Sequence, residues 1–201
     1  MSIPKSHYFE ARPEVPSRPR SVRLRTGEID LELQADRGVF GSKGVDLGTQ
    51  ILLKEAPSPP PGGEILDLGA GYGPIAIVLA KRSPGARIWA VDVNERAREL
   101  CTANAAAAGA ANVRVCHPDE VPANVRFARI ASNPPIRIGK EPLHELLARW
   151  LGRLRPGGEA HLVVQKHLGS DSLQRWLTEQ GWPTDRIASR RAFRVLRCGP
   201  H

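Results

Sequence analysis

Glu64-Ile65-Leu66-Asp67-Leu68-Gly69-Ala70-Gly71-Tyr72-Gly73-Pro74 is a short apolar strand that runs into a glycine turn and opens a helix-like apolar segment. Gly69, Gly71 and Gly73 have no Cβ, so the backbone can turn sharply and a bulky ligand can approach the amides at the helix start. A dinucleotide fingerprint spaces its glycines G-x-G-x-x-G and seats a pyrophosphate on the helix N-terminus, whereas here they fall G-x-G-x-G. Asp67 stands two residues before the first of them. A carboxylate at that place repels a phosphate and can pair with a cation, such as the amino group of a methionine moiety. The turn therefore suits S-adenosylmethionine better than NAD. Ile88-Trp89-Ala90-Val91 reads as the next strand and ends in Asp92, 25 positions after Asp67. In a doubly wound sheet these strand ends are neighbours, and an acidic side chain there can accept both ribose hydroxyls.

Downstream of the turn, Pro74 to Arg82 reads as a helix that tolerates proline in its first turn. Asn94 can cap a second helix from Glu95 to about Ala108, stopped by Gly109. Asn112 to Val115 and Phe127 to Ala131 read as the third and fourth strands, and a helix from about Pro142 to Arg153 follows. Then come a turn at Arg155-Pro156-Gly157-Gly158, a fifth strand from Ala160 to Val164, and a helix from about Ser172 to Gln180. Two closing strands are expected at Ile187-Ala188 and from Ala192 to Leu196, one of them antiparallel to its neighbour. The β-α-β-α-β-β-α-β order implies a parallel core. Upstream, four prolines make residues 1 to 20 an extended arm, although His7-Tyr8-Phe9 can pack. Val22 and Leu24, then Ile29, Leu31 and Leu33, alternate with charges across Thr26-Gly27-Glu28, which is a β-hairpin pattern. A short helix is expected over Asp46 to Leu53, and four prolines between Ala56 and Gly63 make a connector. The organisation read from the chain is an N-terminal arm, hairpin and short helix over 1–56 packed on a catalytic domain over 64–201.

The 201 residues suit one α/β domain with an appendage. No apolar run approaches the roughly 20 residues of a membrane span. The first residues lack the apolar core of a signal peptide, so a soluble cytoplasmic protein is expected, with no membrane partner. Cys101, Cys116 and Cys198 are widely spaced and read as buried thiols, and the six histidines show no paired metal spacing, so no metal is expected. The net charge of +8 divides into +4 over residues 1–25, −2 over 26–136 and +6 over 137–201. Basic ends flanking a near-neutral cofactor half suggest a polyanion bound on a surface built from both ends, against the plainer reading of a solvated basic face.

Asn133-Pro134-Pro135-Ile136 follows the fourth strand, beside the expected cofactor crevice. Consecutive prolines restrict φ and bias Asn133 to an extended backbone, which fixes where its side-chain oxygen and the Pro134 carbonyl point. Two fixed acceptors can hold both hydrogens of one planar amino group and aim its lone pair at a sulfonium methyl, so positioning supplies most of the catalysis and no base of unusual pKa is required. Alone, such a tripeptide is as readily a strand-terminating turn. Its place after the fourth strand of a chain that also carries Asp67 and Asp92 favours the catalytic reading.

These residues carry a resemblance. The chain resembles the small-methyltransferase family that includes the 16S ribosomal RNA guanine-N2 methyltransferases, especially its compact single-domain members. The match extends over nearly the whole chain through His7-Tyr8-Phe9, Gly38-Val39-Phe40-x-Ser42, Asp46-x-Gly48-Thr49, Leu66 to Pro74, Asp92-x-Asn94-x-Arg96-Ala97, Asn133 to Lys140, and Gln165-Lys166. The resemblance implies a class I methyltransferase fold, which is a Rossmann-like, doubly wound, seven-stranded sheet, here with an N-terminal β-hairpin extension. It also implies S-adenosylmethionine as donor, S-adenosyl-L-homocysteine as product, and transfer to an exocyclic amine of RNA, with guanine N2 of small-subunit ribosomal RNA favoured. Carried over, Asp67, Gly69 and Gly71 line the methionine end, Asp92 the ribose and Asp119 the adenine, with Gly73, Val93 and Thr49 as further cofactor contacts. Asn133 with Pro134 holds the target amine, and Pro135 completes the catalytic tripeptide.

Many relatives follow the prolines with an aromatic residue that stacks on the base, and this chain has Ile136. Phe40 is then the first candidate for stacking and Phe193 the second, each alternatively a core residue. Where relatives read Phe-Asp before the fourth strand, this chain has Phe127-Ala128. Arg137, Lys140 and Lys166 are the expected phosphate contacts, on free ribosomal RNA or on the small subunit. Larger members carry a second methyltransferase-like half, so recognition here is expected from a monomer or a homodimer. Two other classes stay open: a methyltransferase acting on a protein glutamine amide, and a non-catalytic RNA-binding module.

Overall fold

Alternating apolar and charged residues form a hairpin of β1 (Arg20–Thr26) and β2 (Ile29–Ala35), paired antiparallel across Gly27. Val22, Leu24, Leu31 and Leu33 are buried on one face, while Arg23 and Arg25 pair with Asp30 on the solvent side, where such ion pairs add little. This is a computed structural model that describes residues 15–199. The His7-Tyr8-Phe9 cluster lies outside the described residues.

The remaining elements are α1 (Leu47–Glu55), β3 (Gly62–Leu68), α2 (Pro74–Arg82), β4 (Gly85–Val91), α3 (Glu95–Ala107), β5 (Val113–Cys116), β6 (Phe127–Ser132), α4 (Lys140–Leu151), β7 (Leu154–Gln165), α5 (Ser170–Glu179), β8 (Thr184–Arg190) and β9 (Phe193–Cys198). The main sheet has seven strands in the order β5-β4-β3-β6-β7-β9-β8. Neighbours from β5 to β7 are parallel, and β9 is antiparallel to both β7 and β8. The expected seven-stranded, doubly wound sheet with a separate hairpin is what the chain forms.

Strands buried on both faces read as unbroken apolar runs, and here alternate residues feed two separate cores. Ile65 and Ile88 join the hairpin, α1, α2 and α3 on one face, while Leu66 and Trp89 join α4 and α5 on the other. Removing one such fully buried leucine or isoleucine to alanine would cost about 2–5 kcal/mol. Cys101, Cys116 and Cys198 are buried free thiols. Among the described residues no helix is long and apolar enough to cross a membrane.

One local expectation needs correction. Arg155-Pro156-Gly157-Gly158 does not separate a helix from a strand that begins at Ala160; β7 starts at Leu154 and carries these residues as an irregularity. Phe127 of β6 pairs with Leu154, but Arg129 pairs with Glu159, so the extra residues bulge out of the ladder around Gly157, whose φ is 70°. Proline and glycine gave a turn composition, and the pairing available on both sides made it a bulge. The closing strands β8 and β9 are also longer than expected because they complete each other's ladder.

The direction of winding reverses between β3 and β6. In sheets of this kind the ligand crevice opens at that reversal, outside the carboxyl ends of the strands.

Candidate functional site

A cavity of about 450 Å3 occupies that crevice. Leu68 and Gly69 of the glycine turn, Val91 to Asn94 after β4, Asn133 to Ile138 after β6, and Gln165 at the end of β7 line it. Its volume falls in the range of cofactor sites, roughly 300–1,000 Å3. The segment between β2 and α1 covers one side with Val39 and Phe40. That segment is pinned to the start of α3, because Asn94 Nδ2 donates to the Gly38 carbonyl at 2.8 Å and Arg96 Nη1 to the Arg37 carbonyl at 2.7 Å.

Gly69 has φ 77°, and a Cβ built there meets nothing within 4 Å, so the turn leaves free space where a side chain would stand. At Gly73 the reason for glycine is different: φ is 96° and a Cβ would lie 2.8 Å from Cys101 Sγ. Asp92 accepts the Gly71 amide on Oδ2 at 2.8 Å and the Asn94 amide on Oδ1 at 2.9 Å. Burial pushes its carboxyl up, and those backbone donors together with the Arg98 charge oppose the shift. Each oxygen has a lone pair left over, and the carboxylate lines the cavity, so it can accept a diol.

Asp67 takes a different place. It is 0% exposed, and its Oδ2 accepts the Ala76 amide at 2.8 Å in the first turn of α2. Gly73, at the N-cap position, has no side chain to satisfy that amide, so the strand below supplies the carboxylate. Burial, with the Asp92 charge adding to it, pushes the Asp67 carboxyl up to about 8. Its Oδ1 is buried and has no partner among the described residues.

The site is ordered most tightly at Asn133. Its Nδ2 donates to Asp46 Oδ2 at 2.9 Å and to Thr49 Oγ1 at 3.1 Å. A carboxylate only accepts, so the amide must turn its NH2 toward Asp46 and its oxygen the other way. No described residue donates to that oxygen. Asp46 is held in turn, since the same Oδ2 accepts the Gly48 and Thr49 amides at 2.8 and 3.3 Å as the N-cap of α1. Beyond Asn133, Pro135 has φ −76° and ψ 71°, and the Ile136 amide donates to the Pro134 carbonyl at 2.8 Å. This inverse γ-turn fixes the Pro134 carbonyl and leaves it one lone pair. Ser132 Oγ donates to the Leu68 carbonyl at 2.7 Å and locks the end of β6 to the end of β3.

Of the residues expected from the sequence, the cavity brings together Phe40, Gly69, Asp92, Val93, Asn133, Pro134, Pro135, Ile136, Arg137 and Phe193. Phe40 is 40% exposed, whereas Phe193 is half-buried with its ring against Gly48. Asp67, Gly71, Gly73 and Thr49 are outside the lining; Gly71 and Thr49 reach it through their bonds to Asp92 and Asn133, whereas Asp67 holds the Ala76 amide of α2. Asp119 is exposed in a short 3-10 turn, where its pair with Arg149 at 2.9 Å holds its carboxyl below the usual range, and only its neighbour Pro118 lines the cavity. Lys140 and Lys166 are exposed and outside the lining. Asp46 had no individual role in the sequence reading. An Asp-x-Gly-Thr run before an apolar helix is an N-cap signal, but its bond to Asn133 joins residues 87 positions apart.

The sequence pattern of the family described as methyltransferase small domain matches residues 30–197. A Bacillus subtilis relative, described as uncharacterized protein YbxB, is 38% identical over 86% of this chain and 88% of its own length. The ribosomal RNA small subunit methyltransferase C of Cronobacter sakazakii is 36% identical over 69% of this chain but 42% of that protein. The enzyme of the same name from Aeromonas hydrophila is 33% identical over 65% of this chain and 38% of that protein. The chain thus spans less than half the length of these two relatives. Among solved structures, the 16S rRNA N2 methyltransferase RsmC of T. thermophilus, in complex with AdoMet and guanosine, superposes with a TM-score of 0.79 at 25% identity. That likeness covers 94% of this chain and 52% of the other. A ribosomal protein L11 methylase from Lactobacillus delbrueckii shares the fold, with a TM-score of 0.61 at 21% identity.

Proposed function

The chain belongs to the methyltransferase small domain family, and from that premise we propose that it methylates an exocyclic base amine of ribosomal RNA, with guanine N2 of the small-subunit RNA as the target. S-adenosylmethionine fits the cavity by its chemistry: a partly buried carboxylate for a ribose diol at Asp92, apolar walls from Val93, Ala97 and Pro118, and open space at Gly69. When bound, it supplies an electrophilic methyl group on a sulfonium. The observation that carries the reading is the Asn133 amide, whose NH2 is tied back to Asp46 and Thr49 and whose oxygen is left as an acceptor beside the Pro134 carbonyl.

In this reading the two oxygens each accept one hydrogen of the target amine. Holding both hydrogens turns the nitrogen lone pair out of the acceptors' plane and toward the methyl position. The chain does not have to supply a strong base, because the proton shed by the methylated nitrogen can pass to water. Fixed geometry can be worth about 7–11 kcal/mol of the barrier, so a site that only orients is sufficient. Phe40 stands where a target base can stack, and the exposed Arg137, Lys140 and Lys166 are the cations for flanking phosphates.

Radiolabelled methyl transfer should be measured on deproteinised ribosomal RNA, on isolated small subunits and on protein extract, with nucleoside mass spectrometry of the product. N2-methylguanosine is expected. Label found only in protein as a methylated glutamine amide would overturn the RNA reading and leave the amine-holding geometry in place.

A further inference from the structure

The turn joining β8 to β9 contains the one departure from a pattern that otherwise holds throughout the described residues. Every other residue with positive φ is a glycine, and at this turn it is Arg191, with φ 50°. Arg190 pairs with Phe193, so the connection is a two-residue loop of Arg191 and Ala192. Loops of this length need a left-handed residue and are normally built with glycine or asparagine. An arginine there carries the steric cost of its Cβ in the left-handed region. No described residue donates to, accepts from or ion-pairs with the Arg191 side chain, which is exposed, so nothing within the fold repays that cost.

The place of the turn supplies the reason. β9 runs antiparallel to β7, so the tip of the β8–β9 hairpin stands at the carboxyl end of β7, where the cavity opens. Gln165 pairs with Phe193, both line the cavity, and the Lys166 amide donates to the Ala192 carbonyl at 2.6 Å. The backbone at Lys166 and the hairpin tip that carries Arg191 therefore meet at one end of the sheet, and both side chains are exposed there. Arg190, beside them, is committed to Glu55 at 2.9 Å, which leaves Arg191 as the free guanidinium of the tip.

We propose that Arg191 is a phosphate grip for RNA: the hairpin tip and Lys166 hold the backbone of the strand that enters the cavity, and the left-handed backbone is retained to present the guanidinium there. The proposal rests on the RNA reading above. Two exposed cations on neighbouring backbone segments suit the phosphates of one strand, which a glutamine-bearing protein loop does not offer.

The test compares Arg191→Gly with Arg191→Gln, using thermal melting, S-adenosylmethionine titration and binding of deproteinised small-subunit ribosomal RNA across a salt series. Arg191→Gly should raise Tm by about 2–4 °C, since glycine relieves the backbone. Both variants should weaken RNA binding about ten-fold at physiological salt and lower the slope of log Kd against log salt by about 0.7–0.9, one phosphate contact. S-adenosylmethionine affinity should not move. Unchanged RNA affinity and slope in both variants, with the wild type still binding and methylating RNA, would overturn the grip and leave the function standing. A wild-type protein that neither binds nor methylates RNA would overturn both.

Discussion

Asp46→Ala should separate the part of the site that holds the fold from the part that holds the reacting amine. Asp46 Oδ2 accepts three donors, namely the Gly48 and Thr49 amides and Asn133 Nδ2. Alanine removes the N-cap of α1, at a cost of about 0.5–2 kcal/mol. For a chain of this size that lowers Tm by about 1–8 °C. Alanine also leaves the Asn133 amide with one anchor, Thr49 Oγ1 at 3.1 Å, about which it can turn. A displacement of about 1 Å in a positioning group can cost 10²-fold in rate, so kcat should fall roughly 10- to 100-fold. Cofactor affinity should stay within a few-fold, because no anchor of the Asp92 side is touched. The assay is steady-state methyl transfer to small-subunit ribosomal RNA at a temperature well below both melting points, with calorimetric S-adenosylmethionine titration beside it. Asp46→Asn keeps an oxygen able to accept the same donors and should recover the stability and most of the rate. A lowered Tm with an undiminished kcat would refute the positioning role, and a rate loss explained wholly by weaker S-adenosylmethionine binding would move Asp46 to the cofactor.

Other expectations follow from the same geometry. Asn133→Ala should reduce methyl transfer by about 10²-fold or more while S-adenosylmethionine binds within a few-fold of wild type; retention of most activity would make the tripeptide a turn and nothing else. Asp92→Ala should weaken S-adenosylmethionine by about 1–3 kcal/mol, read by calorimetry, since a diol loses its charged acceptor. It should also lower Tm, because the Gly71 and Asn94 amides lose theirs. Asp67 gives a pH dependence whose sign is set by a folded pKa of about 8 against an ordinary 3.8. The native state holds a proton there that the unfolded state releases, so stability from this group is complete below about 3.8 and is lost as pH rises through about 8. Asp67→Asn, which keeps an oxygen for the Ala76 amide, should therefore melt above wild type at pH 8.5 and lose that advantage near pH 4; equal melting points at pH 8.5 would contradict the buried, proton-binding carboxyl.

How far the chain could be read depends on the range of the interaction concerned. The glycine spacing, the acid after the second strand, the helix cap at Asn94 and the hairpin alternation are local, and the elements they mark lie within a few residues of their sequence signals. The bulge at Arg155 to Gly158 has the composition of a turn, because composition reports what a segment tolerates, while the ladder on either side decides what it does.

The sequence by itself determined the order of the elements, the parallel core with its antiparallel ending, and the two motif ends that border the cavity, because turn chemistry, capping and period-two burial all act over a few residues. Tertiary structure alone decided which of the motif side chains face the cavity. Asp67 and Asp92 both end up at carboxyl ends of neighbouring strands, yet one is sealed beneath α2 and the other stands in the wall. Side chains alternate between sheet faces and the glycine turn folds over one of them, and neither is visible in a spacing. Likewise, the Asn133 amide is oriented by Asp46, 87 residues earlier, through the packing of α1 beside the end of β6. A hydrogen bond between distant segments exists only once both are docked, so its partners had to be found in the fold.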